Sequence, residues 1–260
     1  MLWSLVLLVG CKKVEPAPRE FDALIHYVWE KAEAGSDEEL AEAIVNLEAA
    51  TADLELPDGS VSRLSDDEIA LVGVSGQKGD DAAGLFMTNA FGCGRSDLEA
   101  SLAYAHQDEL HTTTYETYQR TFDNSDSDWL AGRSDVLTWD VDYSVKYLGI
   151  EYDAETEGFL RRVPNLDDEL TPFGSFLVAR TYFPKPAVFE GNSDRYFEQD
   201  YQLEIYWQQG GETQHVYALW REFDFGASYQ SESETAQRLL LNELYKWDDE
   251  TAEGCEEGLP

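Results

Sequence analysis

The chain has 260 residues, of which 43% are hydrophobic and 13% aromatic, so it can bury a sizeable core and is expected to fold. Its 53 acidic residues outnumber 18 Lys and Arg residues, which gives a formal net charge of -35. A field of that sign repels phosphate backbones, so the composition argues against nucleic acid as a partner. The same excess is typical of salt-adapted surfaces, where charge maintains solubility.

An apolar run opens the chain, from Leu2 to Val9, and is followed by Gly10 and Cys11. The run is too short to span a bilayer, which takes about 20 apolar residues, but it suits a secretory signal. The segment ending at Cys11 resembles the lipobox of bacterial lipoproteins, although no Lys or Arg precedes the apolar run. The resemblance implies a signal peptide over 1–10 and lipidation of Cys11. The alternative is a buried N-terminal element with a structural cysteine.

A short extended tether is expected over 11–20, because Pro16 and Pro18 oppose a helix. By the same resemblance, Lys12 directly after the lipidated cysteine favours the outer membrane. We therefore expect a lipid-anchored protein of the cell envelope, with its folded part in the periplasm or at the cell surface.

Two cysteines remain once Cys11 is lipidated, namely Cys93 and Cys255. In an oxidising compartment an even pair usually joins, so a disulfide between them is predicted, with two unpaired thiols as the alternative. The sequence contains no Cys-x-x-Cys motif, which excludes zinc-ribbon and dithiol redox sites.

The first half of the chain, 21–132, is predicted to be mainly helical. Ser36 and Glu39 form a capping box at the start of one helix. Similar boxes are predicted at Ser65/Glu68, Ser96/Glu99 and Ser231/Glu234. Helical spacing is also found among Leu98, Leu102 and Ala105 and among Tyr115, Tyr118 and Phe122.

The second half, 133–260, changes from the helical period to a period of two. Alternation over 138–154 predicts antiparallel strands, and a more fully apolar strand follows at 175–183. Gly210-Gly211 joins two further strands as a hairpin. The chain ends on an amphipathic helix, predicted at 231–253. A helical half, about five antiparallel strands and a long terminal helix make the class α+β, with both halves in one compact unit.

The element order over 97–255 resembles the helix-grip fold of START-like lipid-binding domains. In that fold an antiparallel sheet curves around a C-terminal helix and encloses a cavity. The resemblance rests on order alone and implies a pocket for a hydrophobic or lipid-like ligand. A helix packed flat on an open sheet, with no cavity, is the alternative.

Several short motifs resemble catalytic or metal-binding sites but lack a residue or a spacing that such sites require. The segment 73–77 approaches a nucleophile elbow but ends in Gln77 instead of glycine. On one helix, His106 and His111 would point about 140° apart, so one metal ion could not take both, and both are expected at the surface. The sequence therefore predicts no metal site and no cofactor. It assembles no nucleophile, base and orienting group, which favours a non-catalytic protein.

Two arginines interrupt otherwise apolar strands, Arg180 and Arg221. A buried guanidinium needs a partner, which is either a carboxylate such as Glu204 or Glu222 or the anionic group of a ligand. The candidate ligand-binding residues, chosen with their neighbours in the strand pattern, are Arg180, Tyr182, His215 and Arg221.

Two functions fit these observations. The first is a membrane-anchored envelope lipoprotein that binds a hydrophobic or lipid-like ligand between its sheet and its terminal helix. The alternative is an envelope lipoprotein with a solid core and a structural or protein-interaction role. An apolar cavity beneath the terminal helix distinguishes the first from the second.

Overall fold

The structure is a computed structural model that describes residues 16–112, 114–147, 150–164, 166, 174–189, 191, 194–226 and 229–258. The predicted signal peptide and the lipidation site Cys11 fall within 1–15 and lie outside the described residues. In the described ranges, no helix combines the length and the apolar character that crossing a membrane requires.

Seven α-helices lie in the described parts of the chain. They are α1 (Phe21–Lys31), α2 (Asp37–Ala52), α3 (Asp66–Ala70), α4 (Arg95–Leu102), α5 (Gln107–Leu110), α6 (Asp126–Leu130) and α7 (Glu234–Glu257). The capping boxes at Ser36 and Ser65 are confirmed at α2 and α3. The other two are wrong, because Gly94 precedes α4 and the side chain of Ser233 caps α7.

The described chain is packed from its first residues. Ala17 is only 7% exposed, and the side-chain amide of Asn46 on α2 donates to the carbonyls of Ala17 and Pro18 at 3.3 and 2.8 Å. Of the extended tether expected over 11–20, residues 11–15 lie outside the described residues, and Ala17 already packs against the fold.

One antiparallel sheet contains the nine strands of the described chain. They are β1 (Asp58–Ser60), β2 (Ala83–Phe91), β3 (Thr117–Phe122), β4 (Val136–Tyr147), β5 (Ile150–Val163), β6 (Phe176–Tyr182), β7 (Val188–Phe189), β8 (Tyr196–Gln209) and β9 (Glu212–Asp224). Their order is β1-β2-β9-β8-β6-β5-β4-β3, with β7 beside β5. Because β2 pairs with β9, the two halves of the chain share this sheet.

Three of the strands, the short β1 together with β2 and β3, lie in the half that was predicted to be helical. The first part of β2 is buried on both faces, so it lacks the alternation that identifies a half-buried strand. In β3, Tyr118 and Phe122 are four residues apart, a spacing that fits a helix as well as a strand. Antiparallel pairing with β4 over Thr117–Phe122 makes this segment a strand. The prediction of about five strands was low for this reason.

The sheet is covered by helices on both sides. One side, here called the packed face, includes Val178, Leu203, Ile205, Ala218 and Trp220 and packs against α1 and α2. These strand residues are almost fully buried. The opposite side, here called the cavity face, lies under α4 and α7.

The sheet curves around α7. Near β3, Trp247 of α7 has its ring 6.1 Å from that of Tyr115. At the other end of the sheet, Leu244 and Tyr245 of α7 pack against Met87 of β2. A flat sheet of this width would extend over about 30 Å, whereas a helix is about 10–12 Å wide. The sheet therefore bends toward the helix, and the predicted α+β class with its helix-grip arrangement is confirmed.

Candidate ligand-binding cavity

A cavity of about 280 Å³ lies between the cavity face and α7. Much of its wall is aromatic, with rings from Tyr115, Tyr118, Trp139, Tyr143, Tyr152, Tyr217 and Trp247. Leu239, Leu240 and Leu244 of α7 add an aliphatic side. Concave, mostly apolar spaces with a few polar groups are typical of small-molecule sites. The alternative of a helix packed flat without a cavity is wrong.

Tyr143 and Tyr152 are among the wall tyrosines whose hydroxyls no described residue hydrogen-bonds. Burial raises the pKa of Tyr152 to about 12 and raises that of Tyr143 well above its ordinary value. Both phenols therefore stay neutral at physiological pH. Each can donate a hydrogen bond to a polar group of a bound molecule.

Strand alternation turns Arg180 and Tyr182 away from the cavity. Ala179 and Thr181 of β6 line the cavity, so the residues between and after them face the packed side. The prediction that Arg180 and Tyr182 meet a ligand here is corrected. The sequence pattern shows which residues share a face, but the helices that cover each face decide which face is hollow.

Arg180 is instead paired by the protein. Its Nη1 donates to the carbonyl of Trp29 at 3.1 Å, and its Nη2 bonds Glu33 Oε2 at 2.5 Å. Its guanidinium also lies 5.2 Å from the Trp29 ring centroid. Burial lowers the pKa of Arg180 despite the charge of Glu33. The partner is Glu33 of the chain segment after α1, not a carboxylate of the sheet.

Arg221 does line the cavity, but it is neutralised there by Asp200. Arg221 Nε and Nη2 donate to the two carboxylate oxygens of Asp200 at 2.8 and 3.1 Å, and Asp200 is fully buried. Burial would lower the pKa of Arg221, but the charge and hydrogen bonds of Asp200 outweigh it and raise that pKa. The predicted partners Glu204 and Glu222 are therefore replaced by Asp200, which lies opposite Arg221 on β8.

His215 belongs to a buried polar cluster beneath α7. Its Nδ1 lies 2.8 Å from Asp248 Oδ1, and Asn89 Nδ2 donates to the other oxygen of Asp248 at 3.0 Å. Its Nε2 is 3.7 Å from Glu204, which also accepts a hydrogen bond from Tyr206. Burial raises the pKa of Glu204, the member of the cluster that lines the cavity. His215 therefore links β9 to α7 through Asp248 and lies beside the cavity without lining it.

A third arginine, Arg120 of β3, lines the cavity and was not among the predicted ligand-binding residues. Its Nε donates to the hydroxyl of Tyr118 at 2.9 Å, and its Nη1 donates to the carbonyl of Leu102 at 2.7 Å. Its guanidinium lies 4.7 Å from the centroid of Trp139. The signal was present, since Tyr118, Arg120 and Phe122 alternate with exposed residues, but the helical assignment hid it.

Further contacts hold the C-terminal half of α7 over the sheet. Cys93 and Cys255 form a disulfide with Cα atoms 5.5 Å apart, as the sequence predicts. His111 stacks on Trp247 with centroids 3.3 Å apart, and its Nδ1 lies 3.0 Å from Glu250. His111 is 1% exposed, so its predicted surface position is wrong, whereas His106 is exposed.

A serine, a histidine and a glutamate outside the cavity are linked as in a catalytic triad, namely Ser62, His26 and Glu68. His26 Nε2 is 2.8 Å from Ser62 Oγ, and its Nδ1 is 2.5 Å from Glu68. However, the Ser62 hydroxyl donates to Asp22 at 2.5 Å and its backbone amide to the other Asp22 oxygen at 2.7 Å. Burial lowers the pKa of His26, but Glu68 and Asp22 raise it overall. Because the Ser62 hydroxyl donates its proton to Asp22, it does not donate to His26, so the serine is not arranged as a nucleophile that a histidine base activates.

Among the described residues, no group of three or more His, Cys, Asp or Glu side chains is arranged to hold a metal ion.

No protein-family model and no curated protein matches this chain. Solved structures resemble it at low identity. The lipid transfer and protein localization domain of human StarD13 has a TM-score of 0.43 and 10% identity, over 78% of this chain and 93% of that one. A START superfamily protein from Mycobacterium smegmatis has a TM-score of 0.40 and 8% identity, over 67% and 97%. Ara h 8.0201 has a TM-score of 0.40 and 6% identity, over 68% and 99%. The fold of this chain is defined by its own strand order and register.

Proposed function

We propose that this protein binds one compact hydrophobic molecule in the cavity beneath α7. The observation that carries the proposal is an aromatic-lined space of about 280 Å³ inside a disulfide-linked fold. A cavity of that kind disfavours the alternative of an interaction protein with a solid core. Its wall offers stacking surfaces and neutral phenol donors, which suit a largely apolar ligand with a polar end.

The volume limits the size of the ligand. Small-molecule sites commonly measure about 300–1,000 Å³, and an apolar cavity of about 150 Å³ accepts benzene. The cavity is near the lower end of the range and about twice the benzene-binding size. A double-ring compound or a single short chain fits this space, whereas a two-chain phospholipid does not.

Titration calorimetry with 2-naphthamide, a neutral double-ring probe, tests the proposal. We expect saturable binding of one probe per chain. The variant Leu240→Trp places an indole in the cavity wall and is expected to abolish binding. Asn242→Trp is the matched control, because it adds the same side chain at an exposed position two residues away on α7.

Two results would overturn the proposed binding function. The first is the absence of saturable binding to the wild-type protein. The second is equal affinity in the two tryptophan variants when their melting temperatures match that of the wild type. Native mass spectrometry of the freshly purified protein gives an independent readout, since a retained ligand adds a discrete mass.

We also propose that the domain is tethered to a bacterial membrane through a lipid on Cys11. Support comes from the apolar run and the lipobox-like segment before that cysteine. Few residues separate Cys11 from the buried Ala17, so the anchor would hold the acidic domain close to the bilayer, and Lys12 favours the outer membrane as its location. Wild-type protein is expected in the membrane fraction with a lipid-modified mature N-terminus, and Cys11→Ala is expected to be soluble or unprocessed. An unmodified Cys11 in the wild type would reject the tether.

A further inference from the structure

Arg120 has a polar environment unlike that of the other buried arginines. The buried or half-buried arginines that pair with a carboxylate are Arg95, Arg161, Arg162, Arg180 and Arg221. For Arg120, no carboxylate of the described residues lies within ion-pair distance. Its hydrogen-bond partners among the described residues are the neutral hydroxyl of Tyr118 and the backbone carbonyls of Leu102 and Tyr104.

The missing counter-charge is informative because acids are abundant. The chain has 53 acidic residues against 18 Lys and Arg residues, so a nearby carboxylate would be the ordinary outcome. Arg120 instead holds a full positive charge at the wall of an aromatic cavity. Its three neutral contacts use Nε and Nη1, and no described residue accepts from Nη2.

The position of the guanidinium is also set before any ligand arrives. It lies 4.7 Å from the ring centroid of Trp139 and 5.5 Å from that of Tyr118. The carbonyl of Leu102, at the end of α4, holds Nη1 from another side. A group fixed in this way loses little side-chain entropy on binding an anion.

We propose that Arg120 binds the anionic group of the ligand, so that the ligand is a compact aromatic or aliphatic acid. This inference rests on the proposed function and specifies the ligand class for the same cavity. The apolar part of the acid would pack among the wall tyrosines, and its carboxylate would accept a charge-assisted hydrogen bond from Arg120.

The other charged groups of the wall are less suited to this role. Arg221 already makes two hydrogen bonds to Asp200. Glu204 and Glu243 would repel an acid if ionised, so the carboxylate end of a ligand is directed away from them. Arg120 is therefore the cavity-lining cation available to an incoming anion in the described part of the chain.

A pair of probes that differ only in charge tests this inference. 2-Naphthoate and 2-naphthamide have the same ring system, and the first is ionised at neutral pH. Calorimetry at pH 7.5 and 0.15 M salt would compare wild type, Arg120→Gln, Arg120→Lys and Arg133→Gln. The last variant is the matched control, because it removes one positive charge from an exposed, surface-paired arginine.

The expected result is a loss of charge discrimination in Arg120→Gln alone. Naphthoate affinity should fall about tenfold or more, while naphthamide affinity changes less than about threefold. Arg120→Lys should keep most of the preference for the acid, and Arg133→Gln should match the wild type.

Equal losses for both probes in Arg120→Gln would overturn the inference, since they would indicate only a structural role for Arg120. Unchanged naphthoate binding in that variant would also overturn it. Retained naphthamide binding confirms that the variant is folded. If neither probe binds the wild type, the proposed function itself fails, which is a separate outcome.

Discussion

The packed face and the cavity face belong to one sheet but are closed in different ways. On the packed face, Trp29 of α1 makes edge contacts with Tyr201 and Trp220, and all three residues are fully buried. On the cavity face, long aromatic side chains stand under α7, with α4 beside it, and leave space between them. Both faces are covered by helices, so the difference between a filled and a hollow face lies in how closely the covering helices pack on the strands.

The arginines of the two faces differ in the same way. Glu33, the partner of Arg180, has 65% of its side chain exposed, so solvent shares in its stabilisation. Asp200, the partner of Arg221, has none exposed. Removing the cation therefore leaves a solvated carboxylate in one case and a buried one in the other.

The largest expected effect separates these two pairs. Arg221→Met should lower the free energy of unfolding by about 3–5 kcal/mol, because Asp200 is left buried without a counter-charge. Arg180→Met should lose about 1–3 kcal/mol, mainly from the unpaired carbonyl of Trp29. Urea unfolding measures both. Asp200→Asn in the Arg221→Met background should recover part of the loss, and an equal loss in the two single variants would contradict the distinction.

A matched pair of leucine truncations compares the packing of the two faces. Leu203→Ala on the packed face should lower the free energy of unfolding by about 2–5 kcal/mol, because it leaves a void in a filled core. Leu240→Ala should lose less than about 2 kcal/mol, because that side chain is half-buried and already borders a cavity. Similar losses in urea unfolding would show that the cavity face is as tightly filled as the packed face.

The disulfide is expected to stabilise the cavity face selectively. The double variant Cys93→Ala/Cys255→Ala should lose about 2–4 kcal/mol of stability, since the bond closes a loop with a sequence separation of 162 residues. Hydrogen exchange should accelerate in α7 more than in α1 and α2. Uniform acceleration in all three helices would contradict a local role, and chemical reduction of the wild type provides the control.

The smallest expected effect is a difference in pH dependence between two histidines. The pKa of His26 is raised in the folded state, so its contribution is present below about pH 6.5 and is lost as pH rises through the folded pKa. Burial lowers the pKa of His111 despite Glu250, so folding is disfavoured as pH falls below about 6.5.

Unfolding at pH 5.5 and pH 8 distinguishes the two histidines. His26→Gln should cost more stability at pH 5.5 than at pH 8, whereas His111→Gln should cost less at pH 5.5 than at pH 8. The two variants serve as controls for each other, because both replace an imidazole by an amide. The same sign of pH dependence in both would contradict the assignment.

Local sequence patterns were sufficient to predict the elements whose stabilising contacts are mainly with residues nearby in the sequence. The Ser36 capping box lies at the start of α2, and Gly210 and Gly211 adopt positive φ angles of 64° and 94° between β8 and β9. The terminal helix was predicted within a few residues of α7. The pairing of Cys93 with Cys255 was predicted from an even cysteine count, on the expectation that the chain is exported.

Contacts between residues far apart in the sequence decided which side chains line the candidate site. Alternation placed Arg180 with Tyr182 and apart from Ala179, but it did not show that α1 covers the first pair. The strand character of β3, and with it the position of Arg120 in the cavity, depends on pairing with β4. Asp200 was not chosen as the partner of Arg221 because the cross-strand register of β8 and β9 was unknown.

The sequence by itself determined the α+β class, the terminal helix, the principal hairpin and the cysteine pair, because these depend on periodicity, turn residues and composition. Only the tertiary structure decided which face of the sheet is hollow and which cation faces the cavity. The physical reason is that side-chain alternation divides each strand into two faces, while the curvature of the sheet and the packing of the covering helices decide which face is filled.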